Sequence, residues 1–555
     1  MSKNNSNMAI CPARTAAPAP SGPLQQSAFC RRSPFGDAHH DGAISRWPSV
    51  LLILAGVQIL SLPILQAAPA RKEITDSGIT SAVSGGLTFE EGVVPNDLDV
   101  STSQGIVTFS GSVNNILAKE RALKMAESIR GVRGVIDRIA VTPVRRSDAD
   151  VRKDIQAALR QDPATESYQV AVSVQNGVAT LTGSVGSYTE KQLVARIAKG
   201  IKGTKDVRND VAINYLSNRT DAQISADVRS RLQWDIWING DMINVDVSSG
   251  RVTLTGILGS AIAKSRASDD GWVNGVVSVD GSGLKVDYWA HEDTRRKLKY
   301  AIRPDSDVKQ AVQAALRLDP RVARFSPEVT VEGGEVVLGG SVGNLKAKTS
   351  AEQDAKNTVG VSGVDSLLKV RPNGPSTDAE MREQLKAVVL WDSLLDGSTM
   401  SVDVINRVAY LSGTVDSIFQ KAEAQDVASR TKGVVWVRND LNVKPQFVAT
   451  DYDWPDSYSY VSPYAEELSY YTSGMFGARL YMTDERIKKN IERGLFWSPF
   501  VHSADIQVAV DGGVATLTGA VGTSIGWGEA DRDARRSGAI GVVNQVKVKS
   551  GGWWW

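Results

Sequence analysis

The chain has 555 residues, of which 42% are hydrophobic and 23% charged, a globular composition too apolar and too balanced in charge for a disordered chain. Its 63 Lys+Arg against 62 Asp+Glu leave a net charge of +1, which excludes a polybasic nucleic-acid binder. The length calls for several domains.

Residues 1–70 read as an N-terminal extension carrying a signal peptide or anchor. Val50 to Leu65 is an apolar run, with Arg46 before it and Ala68, Pro69 and Ala70 after it. Basic flank, apolar stretch and small residues at a cleavage position make up the layout of a secretory signal. A membrane-spanning helix needs about 20 clean apolar residues, so cleavage is the preferred reading over a retained anchor. Both cysteines (Cys11, Cys30) and two of the four histidines (His39, His40) lie in this segment. The rest of the chain keeps 58 basic and 60 acidic residues, a charge of −2, with no thiol and only His291 and His502. An exported, cysteine-free body suits the periplasm of a Gram-negative bacterium, possible membrane association included.

The body is a repeat. A hairpin pattern ending in glycine recurs at Gly111, Gly183, Gly256, Gly340, Gly413 and Gly519, at intervals of 72, 73, 84, 73 and 106 residues. In the clearest copy, alternation on both sides of Asn176-Gly177 predicts a two-residue hairpin that sets Val172 opposite Leu181 and Val174 opposite Ala179. The same register predicts Val100/Phe109, Val245/Leu254, Val329/Leu338, Val402/Leu411 and Val508/Leu517. The six glycines then fall on the packed face, where a missing side chain would let a helix backbone approach the sheet. Arg407 stands where the other turns carry glycine, so that turn is expected to be distorted.

A helix pattern precedes each hairpin. Val151, Ile155, Ala158 and Leu159 recur at helical spacing behind Ser147 and Asp148, and Thr220/Gln223 and Thr377/Glu380 are capping boxes at the equivalent place. A second helix follows each hairpin, for example Glu190–Ile201 with Leu193, Val194, Ile197 and Ala198 on one side, and then a strand, Thr204–Asn214. A crossover of this kind returns the third strand parallel and right-handed. The expected fold is therefore α+β: a tandem array of six small α-β-β-α-β modules, each a three-stranded mixed sheet with two helices on one face. Their boundaries are 71–144, 145–216, 217–288, 304–372, 373–444 and 481–549. An insertion (289–303), an aromatic acidic linker (445–480) and a Trp-rich tail (550–555) separate or follow them.

The string NGVATLTG from Asn176 to Gly183, the helix after it, and the segment Gly203 to Asp210 resemble the BON domain of osmotically induced periplasmic proteins. The segments Val437–Leu441 and Val543–Val546 are similar to the same closing strand. Two copies depart: Asp137 stands where the closing asparagine is expected, and Trp272 to Gly275 replaces that segment in the third. Loss of any role carried by that strand is the expectation there. The resemblance implies a non-enzymatic module that associates with phospholipid or other envelope components under osmotic stress.

Candidate contact residues follow from aromatic and basic placement. Trp234, Trp391 and Trp497 each sit where a first helix runs into the loop before its hairpin. Two readings are open: rings at a membrane interface, or rings plugging the end of their own helix–sheet core. Lys199, Lys202 and Lys205, with Lys191 and Arg196, could meet phosphate headgroups or form a solvated helix face. Lys119, Arg121 and Lys124, and Arg295 to Lys299, are similar clusters. The linker 445–480 and Trp553–Trp555 add aromatic surface. No enzyme is expected, because neither remaining histidine has a nucleophile motif and the glycine-rich turns join strands instead of opening a helix. No catalytic residue, cofactor or metal is assigned. The expected partner is a phospholipid membrane surface, reached by weak modules whose linkage raises effective concentration. The alternative is a periplasmic scaffold binding protein or peptidoglycan partners. No nucleic acid and no particular oligomeric state are implied.

Overall fold

The computed structural model describes residues 74–89, 97–215, 218–287, 290, 303–372, 374, 376–395, 399–416, 418–443 and 483–548. The apolar run Val50–Leu65, the segment Arg295–Lys299, the linker 445–480 and the Trp553–Trp555 tail lie outside them. Residues 72–555 form one compact unit.

Helix, hairpin, helix and closing strand recur six times in this unit. In the second module they are Asp148–Gln161, Val170–Gln175 with Val178–Val185, Tyr188–Lys199, and Asp206–Asn209 continued by Ala212–Ile213. The hairpin is antiparallel and the closing strand joins its second strand in parallel, so that second strand is central. Six separate cores sit between helices and sheets, one per module. In the second module Leu193, Val194, Ile197 and Ala198 of helix two are buried together against Val172, Ala179 and Leu181. The α+β fold and the hairpin registers are those expected: Val100 pairs with Phe109, Val172 with Leu181, Val245 with Leu254, Val329 with Leu338, Val402 with Leu411 and Val508 with Leu517.

Helix starts follow the capping chemistry of the sequence. Ser147 Oγ accepts from the N–H of Asp150, and both capping boxes close in each direction. Asp148 does something else. Its carboxylate crosses to the hairpin turn and accepts both of that turn's free N–H groups, Asn176 at 2.8 Å and Gly177 at 2.9 Å. Asp76, Asp221, Asp305, Asp378 and Asp484 do the same, each from the first residue of helix one. Charge-assisted bonds of this kind are stronger than neutral ones, and here they tie helix one to the hairpin.

The clamp corrects the expectation for Arg407. That turn is not distorted: Asn406 and Arg407 take φ of 51° and 65°, like Asn176 and Gly177 at 53° and 76°. Asp378 accepts from both N–H groups at 2.6 and 3.0 Å, offsetting the penalty that a Cβ pays at positive φ.

The recurring glycines are also explained differently. Gly111, Gly183, Gly256, Gly413 and Gly519 pair with Leu98, Val170, Ile243, Met400 and Ile506, at φ between 110° and 143°. Gly111, Gly183, Gly413 and Gly519 are exposed and Gly256 is half-buried, where burial beneath a helix is the expectation. A Cβ would collide with the carbonyl oxygen of the residue before each partner: Asp97, Gln169, Met242, Thr399 and Asp505. The close neighbour is the backbone where the opposite strand begins, which at Met242 and Asp505 is the end of a short 3-10 helix. Gly340 stands apart, with its nearest neighbour, Glu328 N, at 4.0 Å, and the central strand of the fourth module is interrupted there.

Both departing closing strands are intact. Asn209, Asn439 and Asn544 each donate to a carbonyl of helix two (Lys191, Lys421, Trp527) and accept from the N–H two residues on. Asp137 keeps the second bond, from Ile139 N at 2.9 Å, and replaces the first with a 2.8 Å ion pair to Lys119 on helix two. The third module's closing strand is Ser278–Val286, with a bulge between Asp280 and Gly283, and Trp272 to Gly275 form the loop before it.

Candidate functional site

The three candidate tryptophans are the last residues of helix one in the third, fifth and sixth modules. Each packs against the core of a different module: Trp234 against the fourth, Trp391 against the second, Trp497 against the first. Plugging their own core is therefore not their role. Backbone bonds fix each joint. Trp391 O accepts from Lys202 N–H at 2.9 Å and Gly200 O accepts from Ser393 N–H at 3.0 Å, a short antiparallel bridge between the fifth and second modules. Trp234 and Ile236 make the same pair with Val359 and Asn357. Trp497 O accepts from Arg130 N–H at 2.8 Å, but residue 499 is proline and has no N–H to return. There Arg130 Nη2 donates to Ser498 O at 3.0 Å instead.

The sequence gives a local reason for this geometry. In modules two to five helix one ends at a capping acid whose carboxylate accepts from the N–H two residues on: Asp162 from Ala164, Asp235 from Trp237, Asp319 from Arg321 and Asp392 from Leu394; in the sixth, Ser498 Oγ accepts from Phe500 N–H at 3.4 Å. At Asp235 and Asp392 the carbonyl just before the acid, of Trp234 and Trp391, is the one that accepts from the other module. Asp392 is buried, and that burial, reinforced by Glu423, pushes its carboxyl up to about 7 despite the nearby Arg430. Asp162 forms a bidentate pair with Arg321 of the fourth module, both bonds 3.0 Å and both side chains nearly buried.

The basic candidates divide. Lys199 Nζ is 2.5 Å from Glu120 of the first module. Lys202 contributes its backbone to the Trp391 joint and its carbonyl accepts from Arg146 at 3.1 Å. Lys205 is exposed, with its N–H on Gly177 O. Thus the structure brings Lys199 and Lys202 into joints between modules and leaves Lys205 facing water. Arg121 lies 3.5 Å from the Phe419 ring centroid of the fifth module, and Lys119 serves the Asp137 pair.

Among further joint residues, Tyr188 carried no distinct sequence signal, whereas Trp237 and Phe500 lie beside the helix-one tryptophans in sequence. Tyr188 stacks on Trp272 at 4.2 Å between the second and third modules, and Trp237 meets Phe500 edge-on at 4.5 Å between the third and sixth. The turn clamp did have one, because an acid stands 28 residues before the first turn residue in all six copies.

A cavity of about 50 Å³ lies between the second and fifth modules, lined by Gln161, Asp162, Val388 and Arg430 among others. It has room for a few waters, far below the 300–1,000 Å³ of ordinary small-molecule sites. Among the described residues no group of three or more His, Cys, Asp or Glu is placed to hold a metal ion, and no helix is long and apolar enough to cross a membrane. The chemistry of these joints is adhesive: aromatic packing, backbone bridges and shielded ion pairs.

The BON domain model matches residues 75–143, 147–215, 220–287, 304–372, 377–445 and 483–550. The chain belongs to the BON domain family. Osmotically-inducible protein Y of Escherichia coli (strain K12) is 32% identical over 143 residues, covering 24% of this chain and 71% of that protein. Among solved structures, CdsD, a structural protein of the type III secretion system of Chlamydia trachomatis, matches at 14% identity over 39% of this chain and 97% of that chain, with a TM-score of 0.11. A second, of its C-terminal domain, matches at 15% over 38% and 98%, again at 0.11. The BON matches place a helix-one tryptophan in the third, fifth and sixth domains and its receiving loop in the fourth, second and first. In this chain BON domains therefore bind one another.

Proposed function

We propose that this chain is a non-enzymatic envelope protein of the periplasm that associates with phospholipid surfaces and supports envelope integrity under osmotic stress. Membership of the BON family and the likeness to osmotically-inducible protein Y support the stress and envelope parts of this reading. The observation that carries the surface part is how the modules use their two sides. Helices and their end loops make the joints described above, whereas outward sheet residues such as Ser173, Gln175 and Arg208 remain exposed. The second module's sheet face thus stays clear of the joints described above. Direct joints hold the modules together, so binding by one face positions the whole body. With a body charge of −2, attraction rests on local surface and not on net charge.

Co-sedimentation of residues 72–555 with neutral and with anionic phospholipid vesicles tests this. Binding to at least one composition is expected, and binding to neither overturns it. A second reading, a scaffold for protein partners, draws on the joints themselves, which are protein–protein contacts made by BON modules. In-cell crosslinking that captures proteins, together with absence of vesicle binding, would favour it.

A further inference from the structure

We propose that the outward sheet face of the fifth module, turn end first, is the surface that docks on a zwitterionic phospholipid headgroup layer. This rests on the phospholipid reading above and assigns its place on the molecule.

Strand register defines the face. Ile405 pairs with Val408 and Val408 with Trp436, so these three form one row across all three strands beside the turn. They point away from the core, since Val404, Ala409 and Val437 between them are buried. Trp436 is 60% exposed and Ile405 50%. The next row is Asp403, Tyr410 and Arg438, and the third is Ser401, Ser412 and Asp440.

The fold does not require the apolar row. At the same places the other modules carry Ser103, Ile106 and Gly134; Gln175, Val178 and Asp206; Ser248, Arg251 and Ser278; Glu332, Glu335 and Gly363; and Asp511, Val514 and Gly541. Only in the fifth are all three apolar, and only there is one an aromatic ring. An exposed tryptophan beside two exposed or half-exposed aliphatics gives up water contact it could have avoided at no cost to the module.

Polarity is graded along the strands. Rows on one face are about 7 Å apart, so three rows span roughly the depth over which a bilayer interface changes from acyl chain to headgroup. The apolar row suits the deeper side, and Tyr410, with a polar tip on an aromatic body, suits the headgroup level. Charge is complementary to a zwitterion. Arg438 is paired with Asp440 at 2.7 Å and Arg382 with Asp403 at 3.0 Å, so the lower rows offer both signs at nearly zero net charge. Guanidinium groups match the phosphate, and carboxylates match the ammonium of the same headgroup. A polysaccharide would demand hydrogen-bond groups beside the ring, and Ile405 and Val408 have none.

The test uses residues 72–555, a compact unit holding all six cores, with vesicles of phosphatidylethanolamine and phosphatidylcholine. The double variant Ile405→Ser, Trp436→Ser should bind at least tenfold more weakly than the wild-type body with an unchanged unfolding midpoint. Val514→Ser, at the matching place in the sixth module, should bind as wild type. Because the body has no cysteine, Trp436→Cys carrying an environment-sensitive dye gives a second readout, a blue shift on adding vesicles. Undiminished binding by the double variant, an equal loss with Val514→Ser, or no shift of the dye overturns the assignment while the phospholipid reading stands. Failure of the wild-type body to bind these zwitterionic vesicles overturns the assignment, and failure to bind anionic vesicles as well overturns the phospholipid reading with it. Loss of binding to isolated peptidoglycan by the double variant, with vesicle binding intact, would make the face a glycan platform and also overturn the proposal.

Discussion

The backbone N–H of Lys202 donates to the carbonyl of Trp391 at 2.9 Å, joining the end of helix two in the second module to the end of helix one in the fifth. Two equivalent bonds, Val359 to Trp234 and Arg130 to Trp497, show that one joint is used three times, once between consecutive modules (third and fourth) and twice between modules distant in sequence. Trp391→Ala should cost about 3 kcal/mol at the joint through lost aromatic burial, without unfolding either core. Hydrogen exchange should show faster exchange at Lys202 and Ser393, with the central strand Val178–Val185 unchanged.

The turn clamp should matter most where the turn residue is least suited to it. Asp378→Ala leaves two N–H groups unpartnered and Arg407 at φ 65°, for an expected loss of about 2–3 kcal/mol in the fifth module. Asp148→Ala, with Gly177 in the turn, should cost less. Arg407→Gly should recover about 1 kcal/mol in the Asp378→Ala background. Denaturant titrations followed by exchange at module-specific amides separate these, since a six-module chain is not two-state.

Recurring glycines should not be equally sensitive. Gly183→Ala drives a Cβ into the carbonyl of Gln169 at φ 128° and should abolish the second hairpin's packing. Gly340→Ala meets open space and pays only the conformational term at φ 97°, so about 1–2 kcal/mol is expected. Thermal unfolding of the two single variants gives the comparison.

Asp533, on helix two of the sixth module, is buried, and that burial, with Glu529 beside it, raises its carboxyl to about 7. A carboxyl raised in the folded state binds its proton there over a range where the unfolded chain has lost it. Its contribution to stability is thus full below about 4 and falls as pH rises through about 7. Asp533→Asn should remove this slope and stabilise the sixth module by about 4 kcal/mol at pH 8, with little effect at pH 4. Unfolding midpoints across pH 4–8 for both proteins test the sign.

Local chemistry was legible where one residue decides one element. The caps at Ser147, Thr220 and Thr377, the hairpin registers, and helix two's buried Leu193, Val194, Ile197 and Ala198 follow from hydrogen-bonding side chains and from periods of 2 and 3.6. Such signals repeat, so six copies reinforced one another. What failed were explanations that depended on what lies across a gap. Alternation suggests a helix beside Gly183, where the structure has the Gln169 carbonyl just ahead of the opposite strand; it suggests a bent turn at Arg407, which Asp378 holds in shape.

The sequence by itself determined the module: its order of elements, its register and its number of copies, because these rest on near-neighbour periodicity and turn chemistry. Only the tertiary structure decided what Trp234, Trp391 and Trp497 touch. A tryptophan at a helix end has the same pattern whether it meets its own core, a bilayer or another module, since burial area is indifferent to the source of the covering atoms. The same holds for Trp436, whose exposure depends on which face its strand turns outward and on what the other five modules leave uncovered.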